Sequence, residues 1–241
     1  MKKILFRTRL LAAALLGLVA LLLPTQATAQ TRQEMRDSLE DINDQLQYHP
    51  DSVGLLLRKA GWNIQMEQWQ YALNTYDNVL RIQPKNIAGL YYRAFVNDKL
   101  HRYNYARADY ESLLEQIPNH FEAQIGLALV NQKDRHFTEA LDGMNRLVAD
   151  HPDSAIVWAI RAGMEVERGM YELAEYDYGT ALSLTPHAKD ALAPQFKDYL
   201  LARADVRIRL RRYREAREDL DALVRLGTPR AALRQWYHQL K

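Results

Sequence analysis

Small and large apolar residues recur along this chain with a period of 34 residues. Five prolines mark the period, and they stand at positions 50, 84, 118, 152 and 186. With each proline numbered 32, the four full repeats span residues 53–86, 87–120, 121–154 and 155–188. A period of this length is typical of helical repeat arrays, in which each helix pair buries its apolar face against the next pair.

Two helices, named A and B here, are predicted in every repeat. Alanine stands at positions 8 and 20, and large apolar residues stand at positions 17 and 24. Position 17, for example, is Trp69, Tyr103, Phe137 and Tyr171 in successive repeats. The small residues let the two helices approach closely, and the large residues fill the space around that contact. The proline ends helix B because it cannot continue the hydrogen-bond ladder.

This pattern resembles the tetratricopeptide repeat family, and the resemblance covers nearly all of the chain after residue 29. It implies an all-α fold, a right-handed superhelical solenoid of about five antiparallel helix pairs. A fifth, degenerate repeat fits residues 197–228 with Tyr213 at position 17, and it leaves 189–196 as an insertion. The apolar spacing in residues 30–52 and 229–241 predicts a capping helix at each end.

Residues 1–29 have the features of a secretory signal peptide. A basic start is followed by a 14-residue apolar run over 10–23, which is short for a membrane-spanning helix. Ala27 and Ala29 are the small residues that a signal peptidase requires. We predict cleavage before Gln30, export and a periplasmic location. An uncleaved membrane anchor is the alternative, and membrane association is not required by the prediction.

Composition narrows the class of protein further. The chain has no cysteine, so disulfides do not stabilise it and no lipid-modified cysteine anchors it. The leader holds four of the 32 basic residues and none of the 30 acidic ones, so the mature chain has 28 basic against 30 acidic residues. Export argues against a nucleic-acid partner, and so does the arginine-rich C-terminal strip, which has no interleaved stacking aromatic apart from Tyr213.

Motifs that carry catalysis are absent from the sequence. It contains no phosphate-binding glycine loop, no Gly-x-Ser-x-Gly sequence and no cysteine nucleophile. None of the seven histidines lies three or four residues from another, so no helix carries a local metal-binding pair. The sequence therefore predicts a protein that is not an enzyme and has no cofactor or metal.

The family resemblance implies a concave groove lined by positions 2, 5, 9 and 12 of helix A. Six apolar residues occupy such positions in the first three repeats: Leu57, Ile64, Tyr91, Phe95, Ile125 and Leu129. An apolar groove suits a hydrophobic helix or extended segment of a partner, so we predict that these residues bind protein. The alternative is that they pack between adjacent A helices. Family members that bind acidic C-terminal tails have basic groove residues, whereas this chain has Leu57 and Gly61 at the first such positions.

Charged and amide residues also follow the repeat. Arginine at position 7 coincides with aspartate at position 23 in three repeats, which predicts the ion pairs Arg93–Asp109, Arg161–Asp177 and Arg203–Asp219. Position 11 is asparagine in three repeats, at Asn63, Asn97 and Asn131. These amides are predicted to bind the loop between helices A and B, and gripping a peptide backbone is the alternative.

Arginines near the C terminus form a second candidate site. Arg207, Arg211 and Arg214 follow helical spacing and are a candidate strip for an anionic ligand such as a phospholipid or glycan. The alternative is a solvated helix face, because acidic residues such as Glu215 and Glu218 lie among them.

The predicted function follows from these features together. We expect an exported, non-enzymatic scaffold or adaptor that binds a protein or peptide partner in the cell envelope through its concave groove. One alternative is a structural subunit of an envelope assembly. The other is an accessory protein that binds a glycan or another anionic ligand.

Overall fold

The computed structural model describes residues 29–185 and 194–240, with side chains for 33–185 and 195–240. The leader predicted for residues 1–29, except for the backbone of Ala29, and most of the predicted insertion lie outside the described residues. In the described ranges the regular elements are twelve α-helices and one 3-10 turn, with no strand. None of these helices is both long enough and apolar enough to cross a membrane.

Each repeat folds as the predicted pair of helices. The A helices are α2 (Val53–Gln65), α4 (Ile87–Lys99), α6 (Phe121–Lys133), α8 (Ala155–Glu167) and α10 (Pro194–Arg209). The B helices are α3 (Trp69–Ile82), α5 (Tyr103–Gln116), α7 (Phe137–Asp150), α9 (Tyr171–Leu184) and α11 (Tyr213–Arg225). Every B helix begins at the aromatic residue of position 17. In the fifth repeat helix A begins at Pro194, inside the segment that the sequence assigned to an insertion.

The turn between helices A and B has the same conformation in all five repeats. Position 15 has a positive φ, at Glu67, His101, Arg135, Gly169 and Arg211. The N–H at position 16 donates to the carbonyl at position 11 across 2.8–2.9 Å in every repeat, as in a Schellman motif. Only Gly169 adopts this left-handed conformation without the steric cost that a Cβ brings.

The contact between the two helices is made by alanine, as predicted. The alanines at positions 8 and 20 expose at most 2% of their surface in all five repeats. Position 24 fills the space beside them, with Tyr76, Tyr110 and Met144 also at most 2% exposed. One neighbour of this layer has to be glycine, because a Cβ on Gly126 would lie 2.5 Å from Cζ of Tyr110.

The chain divides into two compact units, of which the first ends at Gly143 and the second begins at Met144. In the first unit consecutive helices pack against each other, and the A helices α2, α4 and α6 also contact their neighbours directly. Helix α1 (Ala29–Tyr48) packs on α2 and buries Met35 and Ile42.

In the second unit α8, α9, α10 and α11 pack in the same consecutive order. A capping helix was predicted over residues 229–241, and the structure divides this cap into two short elements. The structure has a 3-10 turn (Arg230–Leu233) followed by the one-turn helix α12 (Arg234–Tyr237). The apolar residues of the prediction are nevertheless used, because Leu233, Trp236 and Leu240 are buried in the core of this unit.

Candidate functional site

Four of the six predicted groove residues are buried, namely Ile64, Phe95, Ile125 and Leu129. Their burial favours the alternative prediction, in which these side chains pack inside the repeat array, over an exposed apolar groove at these four positions. Phe95, at 4% exposure, meets the ring of Trp69 edge-on at 6.1 Å and lies 5.1 Å from Nζ of Lys99. Leu57 and Tyr91 are half-buried, and their role in binding stays a prediction.

Tyr91 lies in a cluster of aromatic rings in the first unit. Its ring contacts Tyr92 at 5.1 Å and Tyr110 at 6.0 Å, and it stacks on His120 at 5.7 Å. Burial, followed by the charge of Glu122, raises the pKa of Tyr91 to about 12. The phenol therefore stays neutral near pH 7. This cluster fixes the orientation of the one aromatic ring that the groove still presents to solvent.

The three predicted arginine–aspartate pairs are confirmed. Arg93 Nη2 lies 2.7 Å from Asp109 Oδ1, Arg161 Nε lies 2.6 Å from Asp177 Oδ2, and Arg203 Nη2 lies 2.7 Å from Asp219 Oδ1. In each pair both Nε and Nη2 donate to the same carboxylate. The aspartate side chains expose only 7%, 2% and 5% of their surface. These pairs are thus part of the packed interior.

Each of these arginines has a third donor, which sequence reasoning missed. Arg93 Nη1 donates to Asp77 Oδ1 at 2.8 Å, and Arg161 Nη1 donates to Asn145 Oδ1 at 3.1 Å. Both acceptors stand at position 25 of the preceding repeat, so the arginine joins two repeats. Position 25 of the fourth repeat is Gly179, which has no side chain to accept this bond. Comparing position 25 between repeats would have revealed the difference.

The three asparagines at position 11 are also buried, at 3–8% exposure. Their side chains are therefore not open to a partner peptide. The turn is also not held by their side-chain amides, as was predicted. Their backbone carbonyls accept the turn hydrogen bond. The side-chain amide of Asn97 instead hydrogen-bonds Asp109 and lowers the pKa of that carboxylate, although burial raises this pKa more strongly.

Glu165 occupies position 11 in the fourth repeat. Its side chain is 7% exposed, and Arg161 Nε lies 3.9 Å from its Oε1. In the described part of the chain, Oε2 of Glu165 is buried without a hydrogen-bond partner. Burial, followed by the charge of Asp177, raises the pKa of Glu165 to about 7. A second carboxylate is therefore placed where the first three repeats have a neutral amide.

The candidate arginine strip does not form one surface of free cations. Arg207 is half-buried, and it donates from Nε to Glu175 and from Nη1 to Asp219, both at 2.8 Å. Arg211 lies in the A–B turn, at φ 61°. Arg214 is 89% exposed and pairs with Glu218 at 3.3 Å. The three side chains have different environments, and their binding of an anion stays a prediction.

Exposed aromatic residues on the B helices were not identified from the sequence. Tyr71 and Tyr105 expose 68% and 69% of their surface, and both stand at position 19 of their repeats. Leu173 has the same position in the second unit and is 54% exposed. A large apolar residue recurring at position 19 was the signal that could have revealed them.

Metal binding finds no support in the part of the chain that the structure describes. No group of three or more histidine, aspartate or glutamate side chains there is placed to hold a metal ion.

No family model and no curated protein matches this sequence. Solved structures do resemble its fold. PilW, a type IV pilus biogenesis factor, matches with a TM-score of 0.68 and 20% identity over 80% of this chain and 86% of PilW. A tetratricopeptide repeat protein from Parabacteroides merdae matches with a TM-score of 0.64 and 18% identity over 88% of this chain and 79% of its own. YrrB, a tetratricopeptide repeat protein with an unusual peptide-binding site, matches with a TM-score of 0.56 and 16% identity over 77% and 92% of the two chains.

Proposed function

Because this chain has the tetratricopeptide repeat fold, we propose that it is an exported, non-enzymatic scaffold that binds another protein in the cell envelope. Arrays of helix pairs present extended surfaces that need no rearrangement before a partner binds. The structural neighbours include one protein named for its peptide-binding site and one named for pilus biogenesis. These names describe the neighbours, and they agree with a role in binding or assembly for this fold.

The observation that carries the proposal is the repeated exposure of tyrosine at position 19. Tyr71 on α3 and Tyr105 on α5 lie on two B helices that pack against the same A helix, α4. A single exposed apolar residue is ordinary on a protein surface, but the same exposed residue in adjacent repeats gives an apolar strip. Tyrosine is enriched among the residues that contribute most to binding energy. Leu57 and Tyr91, at the half-buried groove, are the second candidate surface.

Site-specific photo-crosslinking in intact cells tests this surface directly. A photoreactive amino acid at position 71 or 105 is expected to capture one discrete protein. The matched control is position 81, because Arg81 is also exposed on α3, with 65% of its side chain accessible. Capture only from positions 57 and 91 would move the binding surface to the groove. Absence of a discrete product at all four positions would refute protein binding by the first unit.

The double variant Tyr71→Ser and Tyr105→Ser gives an independent measurement. The two side chains are mostly exposed, so the melting temperature should stay within about 2 °C of the parent because surface changes cost little. Loss of the captured partner at unchanged stability is the expected result. Full retention of the partner would contradict the assignment of these two tyrosines.

Export is the second part of the proposal. Its support is the apolar run that ends before Ala27 and Ala29 in the sequence. Cleavage before Gln30 would leave all of helix α1 except its first residue, Ala29. The intact mass of the protein recovered from the periplasm should therefore correspond to residues 30–241. A mass that includes residues 1–29 would contradict cleavage and would favour an uncleaved membrane anchor.

A further inference from the structure

A cavity of about 420 Å³ opens between helices α9 and α10 in the second unit, beside the turn that precedes α11. Its wall includes three arginines, two glutamates and a glycine: Arg203, Arg207, Arg212, Glu172, Glu175 and Gly179. Two of the arginines share one acceptor in the wall, because Arg207 and Arg212 both donate to the carboxylate of Glu175.

The cavity lies beside a glycine, Gly179, at a position where other repeats have a polar side chain. Position 25 is Asp77 in the repeat before Arg93 and Asn145 in the repeat before Arg161. In the repeat before Arg203, the same position is Gly179. A Cβ added to Gly179 would lie 3.7 Å from Nη1 of Arg203, which is an ordinary van der Waals contact. The backbone therefore leaves room for a side chain that the chain does not supply.

Arg203 is held in place at the wall of this cavity. Its Nε and Nη2 donate to the two oxygens of Asp219 at 3.0 and 2.7 Å, and its side chain is 20% exposed. Among the residues that the structure describes, Nη1 of Arg203 has no hydrogen-bond acceptor, whereas Nη1 of Arg93 and of Arg161 each has one. The guanidinium is thus oriented by one carboxylate and retains a donor for another acceptor.

We propose that this cavity binds a carboxylate from outside the chain, namely an aspartate or glutamate side chain of a protein partner. The equivalent donor of Arg93 binds a carboxylate at 2.8 Å, and that of Arg161 binds an amide oxygen at 3.1 Å. The ligand takes the place that these side chains occupy in the other repeats. Arginine is suited to this role because its planar guanidinium binds carboxylates directionally and stays charged.

The surrounding charges and the rim define the ligand further. Glu172 and Glu175 line the cavity, so the three arginines do not create a strongly positive site. A singly charged carboxylate fits this balance better than a phosphate dianion, which the two glutamates would repel. Tyr176 is 66% exposed at the same cavity and provides the apolar contact that a protein segment makes. The cavity belongs to the second unit, and binding there does not require Tyr71 or Tyr105.

Nuclear magnetic resonance of the mature chain tests the site, observed through the Nε–H signals of its ¹⁵N-labelled arginines. The probe is the blocked tripeptide acetyl-Gly-Asp-Gly-amide at constant ionic strength, and acetyl-Gly-Ala-Gly-amide is the neutral control. The aspartate peptide is expected to shift the Arg203 signal saturably, because a carboxylate bound at Nη1 changes the environment of the same guanidinium. Absence of a saturable shift overturns the proposal.

Two substitutions at Gly179 separate loss of the site from loss of the fold. Gly179→Asp supplies the acceptor from within the chain and should weaken peptide binding by at least about tenfold, because an intramolecular group has a high effective concentration. Gly179→Ala fills the same space without an acceptor and should keep binding. The control Gly61→Asp, where the space is open, should leave binding unchanged. Equal binding by the Gly179→Asp and Gly179→Ala variants overturns the proposal.

Two further titrations identify the source of the anion. Inorganic phosphate that binds where the aspartate peptide does not would overturn the proposal in favour of a phosphate site. Acetate that binds as tightly as the peptide would overturn the protein partner and leave a site for small acids. Failure of the crosslinking at positions 71 and 105 would leave all of these measurements unaffected.

Discussion

Glu165 offers the sharpest test of how charge is buried in this protein. It introduces a carboxylate beside Asp177, whereas repeat two places an asparagine beside the equivalent Asp109. The substitution Glu165→Gln restores a neutral amide of similar size. Because the side chain is only 7% exposed, water does little to screen the repulsion between the two carboxylates. The variant should therefore be more stable than the parent at alkaline pH.

The magnitude follows from the pKa of Glu165, which rises from 4.5 to about 7 in the folded protein. At about 1.4 kcal/mol for each pKa unit, this difference amounts to about 3 kcal/mol. Between the two values the folded protein binds more protons at Glu165 than the unfolded chain does. The free energy of unfolding of the parent therefore falls as the pH rises through this window, and the fall ends above pH 7.

Urea denaturation of both proteins between pH 5 and pH 8 measures this effect. The stability of Glu165→Gln relative to the parent should increase by about 2–3 kcal/mol across that range. The difference between the two curves removes the contributions of other titrating groups. Glu167→Gln, at an exposed residue of the same helix, is the matched control and shows how far the loss of a carboxylate alone changes the curve. Parallel curves for the parent and Glu165→Gln would contradict a repulsion between the carboxylates of Glu165 and Asp177.

Three other predictions concern packing, ion pairs and turns. Removing Arg161 or Asp177 alone should cost about 3–5 kcal/mol because it leaves a buried charge without its partner, and a double-mutant cycle by urea denaturation that shows no coupling would contradict the pairing. Phe95→Ala should lower the free energy of unfolding by about 3–5 kcal/mol, since the ring is 4% exposed, and a loss under about 1 kcal/mol would show that the ring faces solvent. Arg135→Gly should stabilise the protein by up to about 1 kcal/mol because φ is 66° there, whereas Gly169→Ala at the equivalent turn should destabilise it by a similar amount, and thermal melts of both variants check the opposite signs.

Features that are set within one repeat were predictable from the sequence. Alanine at positions 8 and 20 indicated where helices A and B cross, and the proline at position 32 indicated where helix B ends. The pair Arg161–Asp177 was predictable for the same reason, because both residues belong to one helix pair. Helices A and B of one repeat are close in sequence and pack in the same way each time, so residues that recur at the same positions make the same contacts.

Features that depend on the fit between repeats were not predictable in the same way. The sequence places Phe95 and Leu129 on one side of helix A, but their exposure depends on how closely successive A helices approach each other. The structure brings these helices into contact and buries both side chains. The missing acceptor at Gly179 was not predictable for the same reason, because the donor that it leaves free, Nη1 of Arg203, belongs to the following repeat.

The third donor of Arg93 has a consequence for how the first unit unfolds. In a repeat array each unit has its own stability and a separate energy of contact with its neighbours. Arg93 binds Asp109 in its own repeat and Asp77 in the repeat before it. Melting of the first repeat would therefore remove Asp77 from Arg93, the residue whose charge neutralises the buried Asp109. This shared guanidinium increases the coupling between neighbours and favours cooperative melting of both repeats over fraying from the end of the array.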